Sequence, residues 1–299
     1  MTGDVLRTPD RRFADLPGYA FEPRYVDVDG LRVHHLDEGP ADGRPVLLLH
    51  GEPSWSYLYR HLVAPLVGAG LRVIAPDLVG FGRSDKPVDR AAHTYAAHVD
   101  WMHTVVRTLD LRNAILVGQD WGGLIGLRVL ALDPERFAGV VAANTGLPDG
   151  RHDPGKAFHA WREFALTTPD FQCGAVVQMA TTTELPAAVV AAYDAPFPED
   201  VYLAGPRTMP ALVPTTPDAP GAAENAAAWE VLRRFDRPFL CAFSDRDPIT
   251  RGADRPFRDQ VPGARDQPHT TIAGAGHFLQ EDAGAALAAV VVELAGRLA

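Results

Sequence analysis

Short apolar runs recur along the chain, each followed by a turn and then by apolar residues at helical spacing. The strand-like runs are 45–49, 71–75, 114–117 and 137–143. The segments with helical spacing are 57–66, 95–109 and 124–132. Continuous apolar runs of this length are typical of strands buried on both faces. Their alternation with helices predicts a mostly parallel sheet covered by helices on both sides.

The two ends of this pattern complete the sheet. Segments 24–28 and 31–36 alternate between apolar and polar residues and are joined by Asp29-Gly30, which favours a two-residue hairpin turn. Runs at 238–243 and 270–272 resume the buried-strand pattern, and 285–298 has the composition of an apolar closing helix. The sum is eight predicted strands, the first two of them antiparallel.

The pattern changes in residues 147–236, called the cap segment below. This stretch holds many of the prolines, several alanine-rich helical segments and no convincing buried strand. We therefore expect a helical insertion after the sixth strand. The predicted division is a core domain of residues 1–146 and 237–299 and a helical cap domain of residues 147–236.

Composition excludes several classes of partner. The 299 residues are 46% hydrophobic and 22% charged, with a net charge of −10, which argues against nucleic acid or an anionic membrane. Cys173 and Cys241 fit no metal or redox spacing and are expected to be buried free thiols. No segment is apolar and long enough to be a signal peptide or a membrane span, so a cytoplasmic location is expected.

One stretch carries distinctive chemistry, the sequence Val-Gly-Gln-Asp-Trp-Gly-Gly at 117–123. It ends a predicted strand and begins a predicted helix, and glycines lie two positions before and two after Asp120. This is the pattern of a nucleophile elbow with aspartate in place of serine, where small neighbours let strand and helix pack closely. The alternative is an aspartate that only caps a helix.

Three further loops follow buried strands and so reach the same edge of the sheet. His50-Gly51-Glu52-Pro53 follows the run 45–49, an acidic loop with Asp245 and Asp247 follows 238–243, and Gly276-His277-Phe278 follows 270–272. Open α/β sheets bind ligands at this edge. The order nucleophile, acid, histidine matches that of α/β hydrolases.

These motifs together resemble the haloalkane dehalogenases of the α/β-hydrolase superfamily. The resemblance extends into the cap segment, at Phe158-His159-Ala160-Trp161 and from 193–198 through 204–207, and covers nearly all of the chain after the first twenty residues. It implies the α/β-hydrolase fold. It also favours Asp247 over Asp245 as the acid of the catalytic triad.

The resemblance implies a role for each matched residue. Asp120 would be the nucleophile that displaces halide, His277 the general base that activates water against the alkyl ester, and Asp247 the partner of His277. The backbone N–H groups of Glu52 and Trp121 would form the oxyanion hole. Halide would be bound by the indole N–H groups of Trp121 and Trp161, under a pocket roof that includes Phe158. The expected substrate is a small haloalkane and the expected products are halide and a primary alcohol, with neither metal nor organic cofactor, in a monomer.

Two alternatives stay open at this point, an epoxide hydrolase and a noncatalytic binding protein, and a third, a fluoroacetate dehalogenase, is disfavoured. An epoxide hydrolase shares the aspartate and histidine but uses two cap tyrosines, for which Tyr193 and Tyr202 are candidates. A fluoroacetate dehalogenase is expected to have arginine after the nucleophile, where this chain has Trp121. A noncatalytic hydrolase-like binding protein would bind ligand without turnover.

Overall fold

The protein is built around one eight-stranded sheet in the computed structural model, which describes residues 4–298. The strands are β1 (Arg24–Val28), β2 (Leu31–Glu38), β3 (Pro45–Leu49), β4 (Arg72–Pro76), β5 (Ala114–Gln119), β6 (Phe137–Ala143), β7 (Phe239–Ser244) and β8 (Thr270–Ile272). Their order across the sheet is β8-β7-β6-β5-β3-β4-β2-β1. Strand β2 is antiparallel to both of its neighbours, and every other neighbouring pair is parallel. The mostly parallel sheet predicted from the sequence is thus confirmed.

Ten α-helices accompany the sheet in the described part of the chain. They are α1 (Arg60–Gly68), α2 (Tyr95–Thr108), α3 (Trp121–Leu132), α4 (Lys156–Thr167), α5 (Cys173–Met179), α6 (Ala187–Asp194), α7 (Ala204–Thr208), α8 (Ala222–Leu232), α9 (Asp254–Gln260) and α10 (Leu279–Arg297). Helix α1 packs against α10, and α2 packs against α3. None of the helices in residues 4–298 is long and apolar enough to cross a membrane.

Burial explains why the central strands are continuous apolar runs. Residues 46–49 of β3 and all residues of β5 are buried, because helices cover both faces of the sheet. The hairpin between β1 and β2 has the turn that its sequence favours, with φ of 53° at Asp29 and 82° at Gly30. Positive φ at both turn residues matches the twist of the flanking strands.

The cap segment contributes no strand to the sheet among the described residues and contains helices α4 to α8. It follows β6, the sixth strand of the sheet, as the sequence predicts. A small apolar cluster lies inside it, formed by Ala165, Phe171, Cys173, Val176 and Leu203. Cys173 and Cys241 are both buried and free. The division into two domains at 147 and 236 stays a prediction, and residues 1–3 and 299 of the predicted core domain lie outside the described range.

Candidate active site

Asp120 lies at the sharp turn between β5 and α3, with φ of 51° and ψ of −126°. Such a backbone conformation costs a non-glycine residue about 1–3 kcal/mol and persists only where the surroundings hold it. Glycine is required at the two positions Gly122 and Gly123 because neighbouring atoms leave no room for a side chain. A Cβ at Gly122 would lie 1.9 Å from the carbonyl oxygen of Leu49, and a Cβ at Gly123 would lie 2.1 Å from Oγ1 of Thr145. The turn therefore closes only when both positions lack side chains.

The two carboxylate oxygens of Asp120 have different surroundings. Oδ1 accepts a hydrogen bond of 2.9 Å from the backbone N–H of Glu52. Oδ2 lies 3.5 Å from Nε2 of His277. The backbone of the turn is held as well, because Thr145 Oγ1 donates to the Asp120 carbonyl at 2.7 Å. One oxygen is thus fixed by the backbone, while the other faces the imidazole.

Asp247 lies behind the imidazole ring. Its Oδ2 is 2.9 Å from Nδ1 of His277 and also accepts hydrogen bonds from the hydroxyl and N–H of Thr250, while its Oδ1 accepts one from the Ile249 N–H. Burial raises the pKa of Asp247, but the charge of His277 and these hydrogen bonds outweigh it and lower the pKa to about 2. Asp247 is therefore ionised at neutral pH.

Asp245, the competing acid of the same loop, has a different environment. Its side chain is exposed and accepts a hydrogen bond of 2.7 Å from the N–H of Gly274. Of the two acids, Asp247 is the one that contacts His277.

His277 lies between two carboxylates. Burial lowers the pKa of the imidazole, but the charges of Asp247 and Asp120 and their hydrogen bonds raise it to about 10. The raised pKa depends in part on Asp120 being ionised. Loss of the charge on Asp120 would therefore make the neutral imidazole easier to form.

A cavity of about 1000 Å³ opens at this edge of the sheet. Six of the seven residues singled out in the sequence line it: Glu52, Asp120, Trp121, Phe158, Trp161 and His277. The seventh, Asp247, is buried behind His277 and is 1% exposed. The structure thus brings a carboxylate, a histidine backed by an aspartate, and two indoles together at one cavity.

Glu52 also places a carboxyl group at this cavity. The residue is 4% exposed, and its Oε1 has no hydrogen-bond partner in residues 4–298. Burial, together with the negative charge of Asp120, raises the pKa of Glu52 well above its ordinary value. Burial thus favours the neutral form of the side chain, and the backbone N–H of Glu52 is the group that contacts Asp120.

Comparison with known proteins agrees with this arrangement. Residues 44–283 match the family model described as the alpha/beta hydrolase fold. Haloalkane dehalogenases of Psychrobacter cryohalolentis and Mycobacterium marinum are 54% and 51% identical to the chain. Each match covers 97% of this chain, and 97% and 99% of the respective relative. The chain belongs to the haloalkane dehalogenases.

A solved haloalkane dehalogenase supports the assignment. DpaA of Paraglaciecola agarilytica NO2 is 33% identical and superimposes with a TM-score of 0.88, covering 98% of this chain and 97% of that one. Its structure is described as tetrameric. The monomer expected for the present dehalogenase stays a prediction.

The two candidate indoles of this dehalogenase are held by other aromatic rings. The ring of Trp121 packs edge-on against that of Tyr95, with 5.0 Å between the ring centroids. The ring centroid of Trp161 lies 6.0 Å from that of Phe164 and 6.2 Å from that of Phe171. Neither indole N–H donates to a protein acceptor within the described residues, whereas those of Trp55 and Trp229 donate to backbone carbonyls. Trp55 and Trp229 thus use their N–H groups within the described residues, while Trp121 and Trp161, which line the cavity, do not.

The cap tyrosines lie elsewhere. The hydroxyl of Tyr193 donates to Glu281 of α10, and the residue is completely buried. Tyr202 lines a separate small pocket with Asp4 and Arg7. Neither tyrosine lines the cavity of Asp120, so the arrangement expected for an epoxide hydrolase is not present in the described residues.

Several residues that hold the site together were missed from the sequence. Asn144, directly after β6, donates through Nδ2 to the carbonyls of Gly276 and His277 and to the Ser244 hydroxyl. The strand-end position of Asn144 was a signal, but its partners lie 100 to 133 positions away in the chain. Gln119, which contacts His277, was missed for the same reason.

The cap segment also contacts the histidine loop directly. The carbonyl of Ala180 accepts a hydrogen bond of 2.8 Å from the N–H of His277. Asp282 accepts from the N–H groups of Thr182, Thr183 and Gly276. The hydrogen bonds to Asp282 lower its pKa against the effect of burial. A single carboxylate thus ties the cap segment to the loop that carries His277.

Proposed function

We propose that this chain hydrolyses haloalkanes to a primary alcohol, a halide ion and a proton through a covalent alkyl ester of Asp120. The observation that carries the proposal is the distance of 3.5 Å between Asp120 Oδ2 and His277 Nε2, in a cavity that Trp121 and Trp161 also line. Both named relatives are haloalkane dehalogenases. No metal or organic cofactor is required by this chemistry.

In the first step, Asp120 Oδ2 attacks the carbon that bears the halogen. The new C–O bond forms as the C–halogen bond breaks, and the halide leaves with the bonding electron pair. Oδ2 is the reacting oxygen because Oδ1 is already bound by the N–H of Glu52. The leaving anion would accept hydrogen bonds from the indoles of Trp121 and Trp161, which supply no positive charge that would bind it permanently. Phe158 would contribute apolar surface to the alkyl pocket.

In the second step, His277 acts on the ester. Nε2 removes a proton from a water molecule, and the resulting hydroxide attacks the carbonyl carbon of the esterified Asp120. The oxygen that becomes negative is Oδ1, which the N–H of Glu52 already contacts, and the N–H of Trp121 would be the second donor. The alkoxide leaves and takes up the proton from His277, so Asp120 is left as a carboxylic acid. This acid then gives its proton through Nε2 of His277 to solvent, which restores the carboxylate and accounts for the proton among the products.

The order of the steps fits the charges. While Asp120 is ionised, its charge helps to hold the pKa of His277 near 10, so at neutral pH the imidazole is already protonated and cannot take up another proton. Esterification of Asp120 removes that charge. Asp247 remains to orient Nδ1 and to stabilise the imidazolium that forms. His277 can therefore act as a base only after Asp120 has been esterified.

Bromide release from 1-bromobutane and 1,2-dibromoethane tests the proposal. The wild-type protein should release bromide repeatedly, Asp120→Asn should release none, and His277→Phe should release one equivalent per protein and stop. Absence of bromide from wild-type protein with a panel of short haloalkanes would contradict it. Ligand binding without turnover would then point to the noncatalytic alternative, and diol formation from styrene oxide to an epoxide hydrolase.

A further inference from the structure

Gln119 lies directly before Asp120 at the end of β5 and is completely buried. Its side-chain nitrogen, Nε2, is 3.1 Å from Nε2 of His277 and 3.2 Å from the carbonyl oxygen of the same residue. The catalytic nitrogen proposed above is thus in contact with a buried amide as well as with Asp120. Nothing in the two-step chemistry assigns this amide a role.

The orientation of the amide follows from its second contact. The His277 carbonyl oxygen is a hydrogen-bond acceptor that also receives Nδ2 of Asn144 at 2.9 Å. An amide oxygen at 3.2 Å from it would place two acceptors face to face, so the atom there is the nitrogen. The Gln119 nitrogen carries two hydrogens that can be donated, and it accepts no hydrogen bond. Toward Nε2 of His277 it can only donate.

A donor at this place acts on the protonation of the imidazole. The Nδ1–H of His277 donates to Asp247, so Nε2 is free to accept from Gln119 only while the ring is neutral. In the imidazolium, an N–H on Nε2 would face the N–H of the amide. Gln119 therefore favours the neutral ring with its lone pair on Nε2, the form that can remove a proton from water.

The charged and titratable groups around His277 show what this donor opposes. Asp247 faces Nδ1 from the loop after β7, and Asp120 faces Nε2 from the elbow; both favour the imidazolium. Burial raises the pKa of Glu52, in the loop after β3, and so favours its neutral form. In the ester intermediate the charge of Asp120 is gone, which leaves Asp247 on one side and Gln119 on the other.

We propose that Gln119 is a positioning residue that holds His277 neutral in the ester intermediate and so sets the pH range in which the ester is hydrolysed. This inference rests on the proposed function of the same site. Gln119 touches neither the reacting carbon nor the leaving halide in the proposed chemistry. It acts through His277 alone, so it should affect the second step and leave the first unchanged.

The test is Gln119→Met, which removes the amide and keeps the length of the side chain. With excess protein and 1-bromobutane in a single turnover, bromide reports the first step and butanol the second. The rate of the second step rises as His277 loses its proton, and loss of the donor raises the pKa of His277. The pH midpoint of butanol formation should therefore move upward by about one unit, which corresponds to the free energy of one ordinary hydrogen bond. Below the midpoint, butanol should form about tenfold more slowly, with the rate and amplitude of bromide release unchanged.

The matched control is Gln280→Met, the same change at an equally buried glutamine of α10 that does not line the cavity. It should leave the midpoint where it is. An unmoved midpoint in Gln119→Met with full bromide amplitude would overturn the inference, as would an equal shift in the control. If Gln119→Met does not fold, Gln119→Asn withdraws the amide by one methylene and is judged by the same shift. Wild-type protein that releases no bromide would instead refute the proposed function.

Discussion

Replacing Asp247 by asparagine is the sharpest test of how the acid and the histidine work together. The change removes a charge and keeps an oxygen that can accept from Nδ1 of His277. The pKa of Asp247 lies near 2 instead of the ordinary 3.8, and His277 is the main partner that lowers it. That net difference of nearly two units, in which burial opposes His277 and the hydrogen bonds from Thr250 and Ile249, corresponds to about 2.5 kcal/mol of interaction that favours the ionised carboxylate beside the imidazole. If the same interaction stabilises the imidazolium formed during ester hydrolysis, the second step should slow by about 50- to 100-fold.

A single turnover with 1-bromobutane separates the two steps, because bromide and butanol can be measured in the same quenched sample. Bromide release by Asp247→Asn should stay within about threefold of wild type, an upper range for a change that leaves Asp120 intact. Asp245→Asn is the control, since that acid lies in the same loop but is exposed and bound to Gly274. Butanol formation at the wild-type rate in Asp247→Asn, or an equal loss in Asp245→Asn, would refute the assignment of Asp247.

Three further predictions concern the halide site, the acid at the cavity and the elbow. Trp161→Phe keeps the aromatic packing but removes one donor to the halide, so steady-state turnover of 1-bromobutane should fall about 10-fold or more, the value of a hydrogen bond to a charged group. Trp229→Phe is the comparison, because the N–H of Trp229 already donates to the carbonyl oxygen of Leu147. Equal losses of turnover in the two variants would contradict the role of Trp161. Glu52→Gln should retain turnover within about threefold across neutral pH, because burial favours the uncharged carboxyl group and the contact to Asp120 comes from the backbone. A large loss would mean that the side chain itself takes part. Gly122→Ala should lower the free energy of unfolding by about 3 kcal/mol or prevent folding, because the added methyl group would lie 1.9 Å from the Leu49 carbonyl oxygen; urea denaturation measures this, and Gly296→Ala, which meets nothing within 4 Å, should cost far less.

The sheet could be predicted because its strands have a local signature. Each central strand is a short apolar run between turn residues, and β6 and β8 begin and end where the sequence pattern placed them. Helix α10 was predicted less well. It was expected from 285 but begins at Leu279, and Ala283 interrupts it with φ of −149°. Its first turn is polar and follows the histidine loop directly, so no change in periodicity marks its start.

The site was predictable to the extent that its residues follow strands. Asp120, Asp247 and His277 each follow a strand end, and parallel strands bring such positions to one edge. The residues that fix their orientation have no comparable signal. Gln119 reads as part of a buried strand, and its partner is 158 positions away in the chain. Contacts of this kind depend on the tertiary arrangement and are not visible in the local pattern.

The hydrogen bond between the Ala180 carbonyl and the His277 N–H has a consequence for protein engineering. Exchanging the cap between relatives is an obvious way to give this scaffold a new substrate range. A graft of residues 147–236 alone would, however, also replace the backbone that the histidine loop rests on, together with both partners of Asp282 in the segment 182–183. Chimeras should therefore carry residues 274–282 from the same parent as the cap, so that pocket shape can be changed without displacing the base.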